Sequence, residues 1–219
     1  MKVWSVESPS IAEWCPIRND SRLYASATPS TIEENPTLTL SRFNFLGITP
    51  TTETVATFNA TSPFTTLSWT NHPSQNLGLL SAGHKDGSIS LYSPAEKSTI
   101  SSLSYHKTDI TCLKFNPTQT NVLLSVSSDN EISVWDVTHP ENGKRCSAGA
   151  INRAVQGTIT SVDWHKKSTL SSFFALCDST GLCVVWDLRQ NRSTHNFADS
   201  TFKSELSDIS FAPVNSTLL

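Results

Sequence analysis

The sequence predicts an all-β fold, a propeller of small antiparallel sheets, and three observations carry that expectation. First, residues 110–137 (ITCLKFNPTQTNVLLSVSSDNEISVWDV) set three short apolar runs between turn signals. Ile110–Phe115 alternates apolar with polar residues and stops at Asn116-Pro117, Val122–Val126 is nearly continuous, and Glu131–Val137 alternates again. Period-two patterning, β-branched residues and Asp129-Asn130 at the connection make this an antiparallel set with one tight hairpin. Second, a strand ending in an aromatic residue recurs at Trp14, Trp69, Phe115, Trp164 and Phe211, spaced 55, 46, 49 and 47 residues apart. Third, the turn pairs Asp86-Gly87, Asp129-Asn130 and Thr180-Gly181 each begin six residues before an aromatic: Tyr92, Trp135 and Trp186. One three-strand unit buries too little apolar surface to stand alone, so it needs copies of itself as neighbours. A period in the forties with four strands per unit is the pattern of propeller blades.

The elements follow in order. The first blade, about residues 5–58, has the strand ending at Trp14, a second strand at Leu23–Ser26, a long connection over Thr28–Pro36, an aromatic marker at Phe43 and a fourth strand at Val55–Phe58. The second, 59–104, runs through Trp69, Leu77–Ala82, Asp86-Gly87, Tyr92 and Thr99–Ser104. The third, 105–155, adds Trp135-Asp136 and a faint fourth strand at Ala148–Val155. The fourth, 156–203, has Phe173–Cys177, Trp186-Asp187 and Ser193–Phe197. Proline follows the first strand at Pro16, Pro73, Pro117 and Pro213, where the missing N–H cannot disturb a ladder. Leu206–Phe211 reads as the first strand of a fifth blade over 204–219. Two Trp-Asp dipeptides make this a WD-repeat pattern. Seven blades at this period need roughly 300 residues or more. The expectation is therefore an incomplete part, four blades and the start of a fifth, of a seven-bladed ring.

Composition narrows the function. In 219 residues the net charge is -3, which supplies no basic field for nucleic acid. Met1–Cys15 lacks the apolar core of a signal peptide, and no segment reaches the roughly 18 apolar residues of a membrane span. Five cysteines, odd in number and without a CxxC pair, fit a reduced cytosolic protein better than a disulfide scaffold. Three Asn-x-Ser/Thr triplets, at Asn59, Asn191 and Asn215, then carry no glycan.

His106, Asp129 and Trp135 with Ser125 or Ser127 resemble a Ser-His-Asp set at first sight. In WD-repeat blades the same residue types wire a structural network. The turn Asp accepts from the His, and the His is linked through Ser/Thr to the Trp indole, which satisfies buried polar groups. That reading takes precedence, because no serine lies in a G-x-S-x-G elbow. Asp136, Trp186, Asp187, Asp86, Gly87, Trp69 and Trp164 are assigned to the same structural class, and no catalytic, cofactor or metal residue is expected. The six histidines show no ligand spacing, so surface or turn positions are expected for them. Cys177 and Cys183 approach across the Gly181 hairpin as small buried hydrophobes. Gly83–Gly87 leads into a strand and makes no phosphate cradle. Lys144-Arg145 and Lys166-Lys167 read as solvated loop charges.

The order and wording of the blades say more. Ala12–Pro16 after a very short N-terminal strand, the long first-blade insertion before Thr37–Leu40, and Ala56–Phe58 come first. Ala82–Ile89 running into Leu91–Pro94, then Gln119–Asn121, Glu131–Asp136 and Val184–Arg189 follow. In this order they resemble the N-terminal propeller of the larger subunit of the COPII outer coat, the Sec-thirty-one family, over essentially the whole chain. Ser93 stands where the family's second blade usually has Asp. The resemblance implies a non-enzymatic scaffold of the coat on vesicles moving from the endoplasmic reticulum to the Golgi. It implies a small WD-repeat outer-coat partner and other coat subunits, met mainly through family segments absent from these residues, and, indirectly, the inner coat and its small GTPase, with the membrane touched only through them. The implied location is cytoplasmic, peripheral on the cytosolic face of endoplasmic reticulum exit sites and vesicles. A generic WD-repeat adaptor, in a ubiquitin ligase or chromatin complex, is the alternative, and a propeller enzyme the more distant one.

Overall fold

A computed structural model describes residues 11–17, 22–28, 35–44, 51–139, 155–198 and 204–212. Alternating sequence becomes alternating burial, and four antiparallel meanders result. The first joins β1 (Ile11–Trp14), β2 (Leu23–Ala27), β3 (Thr37–Asn44) and β4 (Thr51–Asn59). The second joins β5 (Phe64–Thr70), β6 (Leu79–His84), β7 (Ser88–Ser93) and β8 (Ser98–Ser104). The third has β9 (Ile110–Phe115), β10 (Val122–Ser127) and β11 (Ile132–Asp136). The fourth joins β12 (Ile159–Trp164), β13 (Phe173–Asp178), β14 (Leu182–Asp187) and β15 (Arg192–Ala198). Among the described residues the one helical piece is a 3-10 turn at Ser168–Leu170.

First strands pack on first strands, β1 on β5, β5 on β9 and β9 on β12, so they form the inner layer. The fourth strands β4, β8 and β15 are mostly exposed and lie outermost. Between sheets the core forms as successive apolar layers. Leu38, Leu40 and Phe58 of the first sheet pack with Trp69, Leu80 and Tyr92 of the second. Ile89, Leu91 and Leu103 pack with Phe115, Leu123 and Trp135. Val126 and Ile132 pack with Trp164, Phe174 and Trp186. Each sheet therefore presents an aromatic leading face to the sheet before it. This is a WD-repeat propeller arrangement, all-β among the described residues apart from the 3-10 turn.

The register repeats closely. Trp69 stands opposite Leu80, Phe115 opposite Leu123, and Trp164 opposite Phe174. These residues stand in turn opposite Tyr92, Trp135 and Trp186. The first blade departs from the marker expected at Phe43. Tyr24 stands opposite Ser41, and Phe43 lies two residues further along, bending back to stack on Tyr24 at 4.8 Å. The long connection allows this: Thr28 and Thr37 close its neck with a 2.8 Å hydroxyl pair. The fourth strand expected at Ala148–Val155 lies outside the described residues except Val155, which is buried but not in a strand. The strand expected at Leu206–Phe211 is seated against the fourth sheet, with Phe211 buried on Ala175 and Val185, yet forms no ladder. An inner strand gains a ladder only from its own blade's second strand, and none stands beside it among the described residues.

Candidate functional site

The sequence singled out polar groups at the blade ends, and there the chain spends most of its buried polarity. In the third blade the Trp135 indole N–H donates to Ser125 Oγ at 2.9 Å, and Ser125 Oγ lies 2.7 Å from His106 Nε2. One hydroxyl hydrogen serves one acceptor. The indole fills a lone pair of Ser125, so its O–H is free to donate to Nε2, nearer than the Ser133 carbonyl at 3.4 Å. His106 is then neutral, with its other proton on Nδ1, 3.8 Å from Glu131 Oε2. Burial lowers the His106 pKa, and the Glu131 and Asp129 carboxylates oppose that.

Asp129 does not accept from His106, contrary to the expectation for the turn Asp. Its carboxylate accepts from the Ser127 hydroxyl at 2.5 Å and the Glu131 N–H at 3.1 Å, closing the turn locally. Partial burial would raise its pKa, but these bonds hold it below the usual carboxylate range. Glu131, which also accepts from the Tyr105 hydroxyl, takes the place beside His106.

The other blades wire the same location differently. In the second, His84 is buried, bonding the Ser62 carbonyl through Nδ1 at 3.0 Å and Ser90 Oγ through Nε2 at 2.9 Å. The histidines were expected on surfaces or turns; His84, His106 and His165 are 2%, 5% and 4% exposed. Burial is affordable because each finds ring-nitrogen partners close in sequence or across a hairpin. In the fourth, Asp178 at the end of β13 accepts from the Thr180 and Leu182 N–H groups and, through its other oxygen, from the Gly157 N–H. Trp186 Nε1 has no hydrogen-bond partner among the described residues, since Leu176 and Val184 surround it where Ser125 would be.

All three hairpins share a left-handed residue at one position: Gly87 (φ 84), Asn130 (φ 66) and Gly181 (φ 90). Glycine suits this conformation and Asn tolerates it. Two of these residues also join blades. A Cβ on Gly87 would lie 2.4 Å from the His106 carbonyl oxygen, and Asn130 both donates to the Gly157 carbonyl and accepts from the Ile159 N–H, each at 2.8 Å. Asp86 caps its turn through Ser88. The Trp-Asp carboxylates close the next hairpin: Asp136 accepts from Thr138 and Asn121, Asp187 from the Arg189 N–H, and Ser93 fills that role with Glu96 N–H and Gln75. Trp69 donates to the Leu77 carbonyl in its own blade, whereas Trp164 donates to the Lys114 carbonyl of the preceding one.

A second inter-blade strap escaped sequence reasoning. The Phe115 N–H donates to Ser68 Oγ at 3.1 Å, and the Phe211 N–H to Asp163 Oδ2 at 2.9 Å. Ser68 and Asp163 each precede the aromatic of an inner strand, so the geometry repeats two blades apart. Lys166, expected as a solvated charge, pairs with Asp163 at 2.7 Å. Lys144-Arg145 lies outside the described residues. Cys177 and Cys183 stand directly opposite in the β13–β14 ladder as free thiols, Cys177 buried and Cys183 half-buried. Burial pushes the Cys183 thiol up to about 11.

Chemically, this is wiring. Among the described residues no three His, Cys, Asp or Glu side chains are grouped to hold a metal, and no helix is long and apolar enough to cross a membrane. The surface is where partners can be met. Trp14 is 54% exposed beside Tyr24 and Phe43, whereas Trp69, Phe115 and Trp164 are 6%, 7% and 1% exposed. Phe197, on the outer strand of the last sheet, is 48% exposed.

Known proteins share this arrangement. The family described as "WD domain, G-beta repeat" matches residues 97–136, from β8 through β11, so the sequence repeat straddles two blades. The mouse "Protein transport protein Sec31B" is 25% identical over 233 residues, covering 100% of this chain and 20% of that protein. "Protein transport protein SEC31" of Saccharomyces cerevisiae is 28% identical over 175 residues, covering 74% of this chain and 13% of that protein. The chain thus spans a fifth or less of these curated relatives. Among solved structures, a chain of "COPII on membranes, outer coat vertex" superposes with a TM-score of 0.70 at 23% identity, covering 89% of this chain and 52% of that one. A chain of "Crystal Structure of Mitotic Checkpoint Complex" superposes at 0.66 with 15% identity, covering 94% and 56%. At such identities the structural likenesses show the fold alone.

Proposed function

We propose that this Sec31-like WD-repeat propeller is a non-enzymatic structural part of the COPII outer coat, acting in transport from the endoplasmic reticulum to the Golgi. The observation that carries the reading is similarity to a transport protein of that kind across the entire chain. The fold fits the work. Apolar layers and inter-blade straps hold the sheets as a stiff body, and stiffness fixes where its loops point. A coat lattice then multiplies weak loop contacts, because each contact raises the effective concentration of the next.

On this reading the partners are the small WD-repeat outer-coat subunit and neighbouring coat subunits, with the inner coat and its small GTPase reached indirectly. The protein sits on the cytosolic face of endoplasmic reticulum exit sites and vesicles, and contacts lipid through its partners. Liposomes carrying the inner coat and GTP-loaded GTPase test this. The protein, added with the small WD-repeat subunit, sediments with the liposomes only when the GTPase is loaded. Sedimentation independent of the inner coat, or co-purification from cells with a ubiquitin ligase or chromatin complex instead, sinks the reading.

A further inference from the structure

One end of the fourth sheet concentrates positive charge. The connections β12–β13 and β14–β15 turn at that end, and neither residues 165–172 nor residues 188–191 include a carboxylate. Together with the first residue of β15 they carry Lys166, Lys167, Arg189 and Arg192, in a protein of net charge -3. Lys166 is committed to Asp163 at 2.7 Å. Lys167, Arg189 and Arg192 are exposed. Arg192 bonds Gln190 through Nε, and the Arg189 side chain, 66% exposed, has only the buried Asp187 nearby, its Nε 3.8 Å from a carboxylate oxygen that also accepts the Arg189 N–H.

The ladder sets their spacing. The His165 N–H donates to the Phe173 carbonyl, Phe173 stands opposite Asp187, and Asp187 opposite Arg192. These four residues form one rung across the sheet, about 15 Å wide at the usual distance between strands. Lys167 and Arg189 each lie two residues beyond the rung, and Arg192 is its outer member. The exposed cations are therefore strung along one blade end.

The second blade shows that such an end stays open when sheets pack on both sides. Its β7–β8 turn matches the β14–β15 turn: Ser93 pairs with Ser98 as Asp187 pairs with Arg192, and Lys97 and Asn191 share the left-handed conformation, at φ 53 and 50. Ala95, at the place of Arg189, is exposed although the first and third sheets both pack on that blade. There Glu96 stands beside Lys97, and in the β5–β6 connection Asn71 and His72 take the places of Lys166 and Lys167. The blade end does not need the excess charge in order to form.

We propose that this end of the fourth blade binds an extended acidic segment of a partner protein. At about 3.3–3.6 Å per residue, about five residues span the rung. Arg189 and Arg192 offer guanidinium forks that match carboxylates, and Lys167 adds a point charge. A membrane is the poorer fit, because polybasic lipid contacts draw on clusters of about four to eight cations and only these three are exposed on the two connections and the start of β15. The site stands independently of the coat reading, since it rests on the blade's own charges.

The probe is a fluorescein-labelled pentaglutamate peptide, titrated into the 219-residue protein at low salt and followed by anisotropy. It binds, and added salt weakens the binding. The Lys167→Gln/Arg189→Gln/Arg192→Gln protein binds about tenfold more weakly. The Lys85→Gln/Lys97→Gln/Lys107→Gln protein loses the same net charge at exposed lysines elsewhere and stays within about twofold of the parent. Unaltered thermal melts establish that both variants are folded. Absence of pentaglutamate binding at millimolar concentration, equal binding of a pentaglutamine peptide, or equal losses in the two variants would overturn the proposal. So would tighter binding of phosphatidylserine vesicles or of oligo-dT through the same three residues, which would make the occupant a membrane or a nucleic acid.

Discussion

Replacing Ser125 with alanine tests whether the third blade is held by its polar wiring. Ser125 is fully buried, and its hydroxyl serves Trp135 Nε1 at 2.9 Å and His106 Nε2 at 2.7 Å. Trp135 and His106 are 7% and 5% exposed, so water does not readily replace the lost partner. Each orphaned buried group costs about 1–3 kcal/mol. Relief from burying the hydroxyl offsets part of that, and the net expectation is a loss of about 3 kcal/mol. For a chain of this size that lowers the Tm by roughly 6–12 °C. Ser133→Ala is the control on the facing strand: Ser133 is 2% exposed, and its Oγ has no partner among the described residues. Removing an unsatisfied hydroxyl leaves stability within about 0.5 kcal/mol or raises it. Thermal and urea unfolding followed by tryptophan fluorescence measures both variants. Equal melting temperatures for the two would refute the claim that the Ser125 network, and not shape alone, secures the blade.

Four further outcomes follow from the same geometry. Gly87→Ala meets both a positive φ of 84° and the His106 carbonyl 2.4 Å from the new Cβ, so it lowers stability by about 2 kcal/mol or more in urea titration; Asn130→Gly keeps the turn but loses two inter-blade bonds and costs about 1–3 kcal/mol. Asp163→Ala removes the acceptor of the Phe211 N–H, so amide exchange at Phe211 accelerates about tenfold while exchange in β13 and β14 is unchanged; unchanged exchange at Phe211 would show the strap to be idle. Acidification destabilises the fold in two windows. His84 and His106 are held neutral by burial, with folded pKa values below the unfolded one, so the unfolded chain takes up more protons and stability falls as pH drops below about 6.5. The slope is at most about 1.4 kcal/mol per pH unit for each histidine. Asp86, Asp129, Asp136, Asp178 and Asp208 are depressed, so a second loss sets in below about pH 4, whereas Glu13, raised by burial, runs the other way above about pH 4.5, where the unfolded carboxyl loses its proton first. A Tm that stays flat from pH 7.5 to 5.5 would contradict the histidine assignments.

Much of this fold is legible before any coordinates because strands, turns and aromatic stripes depend on local period. The runs at Leu23, Val122 and Phe173 begin strands β2, β10 and β13, and the two-residue turns lie where the Asp-Gly, Asp-Asn and Thr-Gly pairs stand. What escapes is anything set by register across a connection of free length. The first-blade aromatic marker fell on Phe43 because it is the aromatic in view, yet pairing places Ser41 opposite Tyr24. Side-chain wiring escapes for a related reason. Asp129 lies as near Ser127 as it does Glu131 in sequence, and only the folded turn decides that it serves both and leaves His106 to Glu131. The Ser68 and Asp163 straps join residues 47 and 48 positions away, and no local pattern marks them.

A comparison between blades shows which features the propeller requires. The polar group at the end of the second strand is His84 in one blade, Ser127 in the next and Asp178 in the fourth, and each draws on different partners. Trp186 does without the hydroxyl that Trp135 depends on, at a cost of about 1–3 kcal/mol, and its blade is still formed. The left-handed turn residue, by contrast, recurs in the second, third and fourth sheets, and the apolar leading face in every interface described. Only these two are geometrically obligatory: the turn must let one hairpin touch the next blade, and the face must exclude water between sheets. Polar wiring is then free to vary, because any set that satisfies the buried groups serves equally. This is why a chain with two Trp-Asp dipeptides contains four blade sheets among the described residues.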